Sequence, residues 1–138
     1  EAVVTSRLTP AVYSMPFARA LSGAARERKM RASVHVKIDT GMGRIGISPE
    51  SAPDFITDLQ RLGNIDVEGL MTHFADADLR DKAFASQQMD RFEARITLPK
   101  QLGNFGKLRL VGSNDRHRAH CLWYPLLEAI YLVDGYPK

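Results

Sequence analysis

Cysteine is almost missing. Cys121 is the only one among 138 residues, which rules out an intrachain disulfide and leaves a thiolate-bound structural zinc without ligands. Long apolar runs are missing as well. No stretch approaches the roughly 18–20 apolar residues that a membrane-spanning helix needs. The N-terminus also lacks the basic-then-apolar layout of a signal peptide. A cytoplasmic protein without a membrane role is therefore expected. The sequence has no internal repeat, low-complexity segment or linker. The formal net charge is only +3, with basic residues spread from Arg7 to Lys138 rather than gathered in a stripe, which argues against a nucleic-acid partner. Glu1 is not a natural start residue, so a longer parent protein is expected. What remains is an ordinary globular mixture, 44% apolar and 25% charged, sufficient for one domain with a core.

The apolar patterning alternates strand with helix. Ala11–Ser14 reads as a short strand closed by Pro16, followed by a helix whose apolar face holds Phe17, Ala20, Leu21, Ala24 and Ala25. Val34 to Ile38 is the next strand. Ser48 then caps a helix with Pro49 in its first turn and Ala52, Phe55, Ile56, Leu59 and Leu62 on one face. Val67 to Phe74 is a third strand, and a helix follows with Phe84, Gln88, Phe92 and Ile96 on one side. Lys107 to Val111 is a further strand. This α/β alternation implies parallel strands joined by right-handed crossovers. A closed barrel of eight such units needs about 250 residues, so the chain spans about half of one, and an open sheet remains the other outcome.

The strand at Val34 carries the first chemical signal. Val34, Val36 and Ile38 share one face, and His35, Lys37 and Asp39 share the other. A parallel strand is normally apolar on both faces, so three ionisable residues indicate either a solvent-facing antiparallel strand or a polar site at a barrel mouth. The glycine-rich loop Thr40-Gly41-Met42-Gly43-Arg44-Ile45-Gly46 follows at the carboxyl end of the strand, where barrels and open α/β sheets bind ligands. Its glycines let backbone approach a ligand closely. Arg44, held on that loop, can address a carboxylate or another anion at two points.

The same glycines spell G-x-G-x-x-G, with Asp66 twenty residues beyond Gly46, so a dinucleotide fingerprint is the competing interpretation. That motif needs a helix opening within the glycines, whereas Ser48 and Pro49 come after the last of them. The competing interpretation is the weaker.

The stretch His35-Val36-Lys37-Ile38-Asp39-Thr40-Gly41-Met42-Gly43-Arg44-Ile45-Gly46 resembles the signature segment of bacterial alanine racemases. Glu68-Gly69-Leu70-Met71-Thr72-His73-Phe74-Ala75-Asp76-Ala77-Asp78 resembles their next barrel strand and loop, and Leu8-Thr9-Pro10-Ala11-Val12-Tyr13 the strand before both. With Gln88 to Phe92, the likeness runs over residues 7–112.

The resemblance implies an α/β fold, about four consecutive strand-helix units of a (β/α)8 TIM barrel, in residues 1–112. It further implies an isomerase that interconverts L- and D-alanine with pyridoxal 5'-phosphate, supplies D-alanine for peptidoglycan, and works as a homodimer. Lys37 resembles a lysine that is carbamylated in many members and steadies the neighbouring arginine. Arg44 resembles that arginine, which contacts the cofactor's phenolic oxygen near the substrate carboxylate. His73 resembles the histidine beside the cofactor ring. Without the resemblance, Lys37 would be an ordinary lysine paired with Asp39, His73 a satisfied core histidine, and Thr72 and Asp78 structural loop residues. Amino-acid racemases of broader specificity share the pattern, and a truncated or non-catalytic product is the reading from another class.

Three departures limit what is expected. The cofactor lysine of the family and its catalytic tyrosine have no counterpart here, so the isolated chain is expected to be inactive. The Asn-Ser-Ala run that helps hold the cofactor phosphate is matched only by Ser113 and Asn114 in reversed order. The strand end that supplies an arginine at the pyridine nitrogen corresponds at best to Val133-Asp134-Gly135. Residues 113–138 are thus expected to be a divergent tail, out of frame and not a separate domain. His117 and His120 are expected to be exposed rather than to bind metal.

Overall fold

A computed structural model describes residues 1–76, 79–96, 108–111 and 128–133. Helix α1 (Ala2–Thr5) precedes strand β1 (Ala11–Val12), helix α2 (Met15–Glu27) and strand β2 (Ala32–Lys37). A single 3-10 turn at Pro49–Ser51 leads into α3 (Ala52–Gln60), then β3 (Ile65–His73), α4 (Ala83–Ile96), β4 (Leu108–Val111) and β5 (Glu128–Val133).

The strands form one sheet in the order β1-β2-β3-β5-β4. β1, β2 and β3 are mutually parallel, with α2 and α3 as crossovers, as expected of consecutive strand-helix units. β5 breaks the pattern. It lies antiparallel to both β3 and β4, inserted where an all-parallel barrel would place β4 directly against β3. No strand was expected there. The run Ala129-Ile130-Tyr131-Leu132-Val133 has strong strand propensity, and pairing it covers an edge of β3 that would otherwise be unpaired. Glu128–Val133 therefore contributes a strand to the sheet.

The core lies between one face of the sheet and the helices. Val12, Val34, Val36, Ile38, Ile65 and Leu70 pack with Ala18, Leu21 and Ala25 of α2, Ala52, Ile56 and Leu59 of α3, and Phe92 of α4. The buried stripe of α2 is Ala18-Leu21-Ala25, the i, i+3, i+7 set. Phe17 and Ala20, expected on that face, are exposed instead. The stripe is set by Ala18 and Ala25, small enough to bring the helix close to the sheet. Ser48 performs as expected: its Oγ accepts from the Ser51 N–H at 3.3 Å, and Pro49 sits in the first turn.

The other face of β2 carries Ser33, His35 and Lys37. Because β2 is parallel to both its neighbours and Lys37 is only 4% exposed, a solvent-facing antiparallel strand is ruled out. The register between β2 and β3 slips once. Val34 lies opposite Val67 but His35 lies opposite Gly69, leaving Glu68 as the extra residue of a bulge.

Candidate functional site

The carboxyl ends of β2 and β3 meet at one side of the sheet, and the loop after β2 is built around a single carboxylate. Asp39 Oδ1 accepts the N–H groups of Gly41 at 3.0 Å and Gly43 at 3.1 Å, and Oδ2 accepts the Arg44 N–H at 3.0 Å. Burial by itself would raise the Asp39 pKa. The backbone donors at Gly43, Gly41, Arg44 and Met42 outweigh it and hold the carboxyl below its ordinary 3.8. Behind the carboxylate the chain closes on itself. Asp39 N–H donates to the Ile47 carbonyl at 2.8 Å and Ile47 N–H to the Lys37 carbonyl at 3.0 Å, so Ile38 and Ile47 bridge as parallel partners. The loop is thereby a closed ring that presents Arg44.

Positive φ at Gly41, Gly43 and Gly46 permits the ring. Gly46 is the tightest, because a Cβ there would lie 2.6 Å from the Asp39 nitrogen.

A shallow surface concavity is lined by Lys37, Ile38, Asp39, Met42, Arg44, Ile45 and His73. It brings together three of the side chains singled out from sequence: Lys37 at the end of β2, Arg44 on the ring and His73 at the end of β3. The concavity is too shallow to enclose a ligand by itself. Ser113 and Asn114, the expected phosphate contacts, lie outside the described residues, as do Asp78, His117 and His120.

The glycine fingerprint for a dinucleotide is overturned by geometry. The helix begins after the ring has closed, so no glycine sits at its N-terminus. Asp66 is at the amino end of β3, where Arg31 Nε donates to its Oδ2 at 2.7 Å while the same guanidinium holds the Gly63 and Ile65 carbonyls.

Several residues that tie the two strand ends together were not among the site residues expected from sequence, although Thr72 was expected to have a structural role. Thr40 and Thr72, both buried, share a hydroxyl hydrogen bond of 2.8 Å between the two strand ends. Gln88 and Arg91 of α4 bond to the same ends. A polar residue in the middle of the apolar face Phe84-Gln88-Phe92 was the visible signal for Gln88. Asp39, the neighbour an ordinary Lys37 would pair with, accepts from the backbone of its own loop.

One further polar pair lies at the bulge. Glu68, aimed by it, accepts from the Thr9 hydroxyl at 3.1 Å. Partial burial pushes the His35 pKa below 6.5, and the nearby Glu68 charge only partly offsets this. Among the described residues the buried His35 Nε2 atom has no hydrogen-bond partner, so His35 favours the neutral form. A histidine with a lowered folded pKa costs stability once the unfolded chain binds the proton more readily. Stability should therefore fall as pH drops below about 6.5. His35→Asn should remove that part of the pH dependence, as read from urea midpoints across the acid range.

A mixed α/β sheet whose first three strands run parallel, with a glycine-ringed arginine and a histidine at its strand ends, has the arrangement of consecutive units of a barrel. Comparison with known proteins identifies the family. The family model for the alanine racemase N-terminal domain matches residues 1–114. The chain is 42% identical over 101 residues to the alanine racemase of Desulfovibrio desulfuricans, covering 73% of this chain and 27% of that one. It is likewise 42% identical over 103 residues to that of Halothermothrix orenii, covering 75% and 26%. Its fold superposes on the alanine racemase of Clostridium difficile 630 with a TM-score of 0.71 at 35% identity, over 74% of this chain and 27% of that one. A structure of that racemase in complex with cycloserine gives 0.70. The chain belongs to the alanine racemase family, and it spans about a quarter of the length of these relatives.

Proposed function

We propose that this chain is the arginine-and-histidine wall of an alanine racemase, an isomerase that interconverts L- and D-alanine with pyridoxal 5'-phosphate. The observation that carries the proposal is the Asp39-centred ring, whose Arg44 lines the same concavity as Lys37 and His73.

The residues present suit the cofactor. When bound, pyridoxal phosphate supplies an electron sink that makes the α-hydrogen of an amino acid acidic. Arg44 would hold an anionic oxygen of the cofactor or of the substrate carboxylate. His73 would stand against the cofactor ring, and Lys37, enclosed below the loop, would steady Arg44, carrying a negative charge for that purpose if carbamylated. Ser113 and Asn114 are proposed for the phosphate. Proton transfer needs a base on each face of the α-carbon, and neither the cofactor lysine nor the catalytic tyrosine of the family has a counterpart in these 138 residues. The chain by itself should therefore leave alanine unracemised. The whole enzyme, by this proposal, is a cytoplasmic homodimer supplying D-alanine for peptidoglycan. Among the described residues no helix is long and apolar enough to cross a membrane.

A chimera tests the function. The matched stretch of this chain is grafted into the Desulfovibrio desulfuricans alanine racemase in place of its own. The chimera should interconvert L- and D-alanine. Arg44→Lys in that chimera, which removes the two-point guanidinium, should lower kcat/KM by about 100-fold through misplacement of the bound groups. A folded chimera that binds the cofactor but does not racemise would sink the proposal.

A further inference from the structure

Gln88 is wholly buried, at 0% exposure, in the apolar face of α4. Its side-chain amide nevertheless bonds to three places. Nε2 donates to Thr40 Oγ1 at 3.3 Å and to the His73 carbonyl at 3.1 Å, and Oε1 accepts the Ala75 N–H at 2.9 Å. The orientation of the amide follows from its partners. A carbonyl at His73 must face the NH₂ and an N–H at Ala75 must face the oxygen, so the flipped amide would lose both bonds.

The partners lie on both strand ends. Thr40 begins the ring that presents Arg44, and its hydroxyl is shared with Thr72 of β3. The His73 carbonyl and the Ala75 N–H bracket the turn just after the candidate histidine. One turn along α4, Arg91 donates to the Thr40 carbonyl at 3.1 Å. Between them the backbone of Gly41 is pressed onto the helix, where a Cβ would come within 3.0 Å of Phe84, 3.3 Å of Arg91 and 3.5 Å of Gln88. Phe84, Gln88 and Arg91 follow the i, i+4, i+7 spacing of one helical face, so one face of α4 holds both loops.

We propose that Gln88 is a positioning residue: through its one amide it fixes the Arg44 ring and the His73 strand end relative to each other, so that order in one loop supports order in the other. Only a primary amide supplies two donors and an acceptor on one flat group of this size. A carboxylate cannot donate, and an apolar side chain leaves the Ala75 N–H and the His73 carbonyl buried without that partner. The proposal rests on the racemase reading only in taking Arg44 and His73 to face the same ligand.

The test is amide hydrogen exchange on the 138-residue chain, which needs neither cofactor nor substrate. A negative result there leaves the racemase proposal standing, and a chimera that fails to racemise leaves this one standing. Gln88→Met keeps the volume and removes the bonds. It should speed exchange of Ala75 and of Gly41, Gly43 and Arg44 by roughly 5- to 10-fold, with the sheet amides of Val36 and Leu70 unchanged. Acceleration confined to Ala75 would overturn the proposal.

A cycle with Thr40→Val separates coupling from space filling. Thr40→Val should speed exchange of Ala75 when Gln88 is present and leave it unchanged in the Gln88→Met background. Additive effects would overturn the proposal. If Gln88→Met does not fold, Gln88→Glu serves, since it keeps the acceptor for Ala75 and loses the donors. The ring amides and, through the lost link to Thr40, Ala75 should then exchange faster even though Ala75 keeps its acceptor, and undisturbed ring amides would count against the proposal equally.

Discussion

Gly46→Ala should destabilise the chain more than any other single-methyl addition to the loop after β2. The added Cβ would sit 2.6 Å from the Asp39 nitrogen, 3.0 Å from the Asp39 Cβ and 3.0 Å from the Ile38 carbonyl carbon, with φ at +135°. Two of those atoms are backbone in the bridge between Ile38 and Ile47, so no side-chain rotation relieves the overlap. A positive φ costs a non-glycine residue about 1–2 kcal/mol, and forced overpacking adds about 1–3 kcal/mol. The expected loss is about 2–5 kcal/mol, seen as a lower urea midpoint. Gly43→Ala is the control. It has positive φ but nothing within 4 Å of the added methyl, so it should lose only the backbone part, about 1–2 kcal/mol. Equal losses at the two positions would mean that ring closure at Gly46 is not the constraint.

Asp39→Asn should loosen the same loop without touching the core. An asparagine retains one acceptor oxygen and turns an NH₂ group toward backbone N–H groups that need an acceptor. Hydrogen bonds to a charged group contribute about 1.5–3 kcal/mol each, so the Gly41, Gly43 and Arg44 amides should exchange roughly 10- to 100-fold faster. The unsubstituted chain should show a matching pH dependence. The Asp39 pKa is lower in the folded chain than the ordinary 3.8, so its contribution is complete above that value. It should be lost as pH falls through the lower, folded value. The Asn variant should show no such transition in ring protection. A transition that persists in the variant would place the titrating group elsewhere.

These predictions turn on a carboxylate whose job was only half legible in the sequence. The run from Thr40 to Gly46 announced a tight loop at a strand end, because glycines at that density permit positive φ. Arg44 was legible for the same reason. That Asp39 organises the ring depends on where its oxygens point once the chain has turned, which spacing along the strand does not encode. Lys37 was legible as an anomaly on a parallel strand, and its near-complete enclosure follows from neighbours on both sides of β2. Gln88 stood out as a polar residue within an apolar face, yet its partners at Thr40, His73 and Ala75 lie 48, 15 and 13 residues away.

The sheet shows the same division. Strands β1 to β3 and their crossovers follow from local periodicity. The bulge at Glu68 depends on how two strands align, and the insertion of β5 on which edge is free to pair, so neither is written in a local pattern. The α2 stripe was displaced for a related reason: the helix turned its alanines rather than Phe17 to the sheet, because close packing favoured the smaller side chains.

As proposed, this chain builds one wall of an alanine racemase and lacks the groups that move the proton. Formation of D-alanine from L-alanine in the presence of pyridoxal phosphate tests it most directly, measured side by side for the chimera and for the 138-residue chain alone. The account predicts D-alanine from the chimera and none from the chain. D-alanine from the chain alone, or none from a folded and cofactor-loaded chimera, would contradict it.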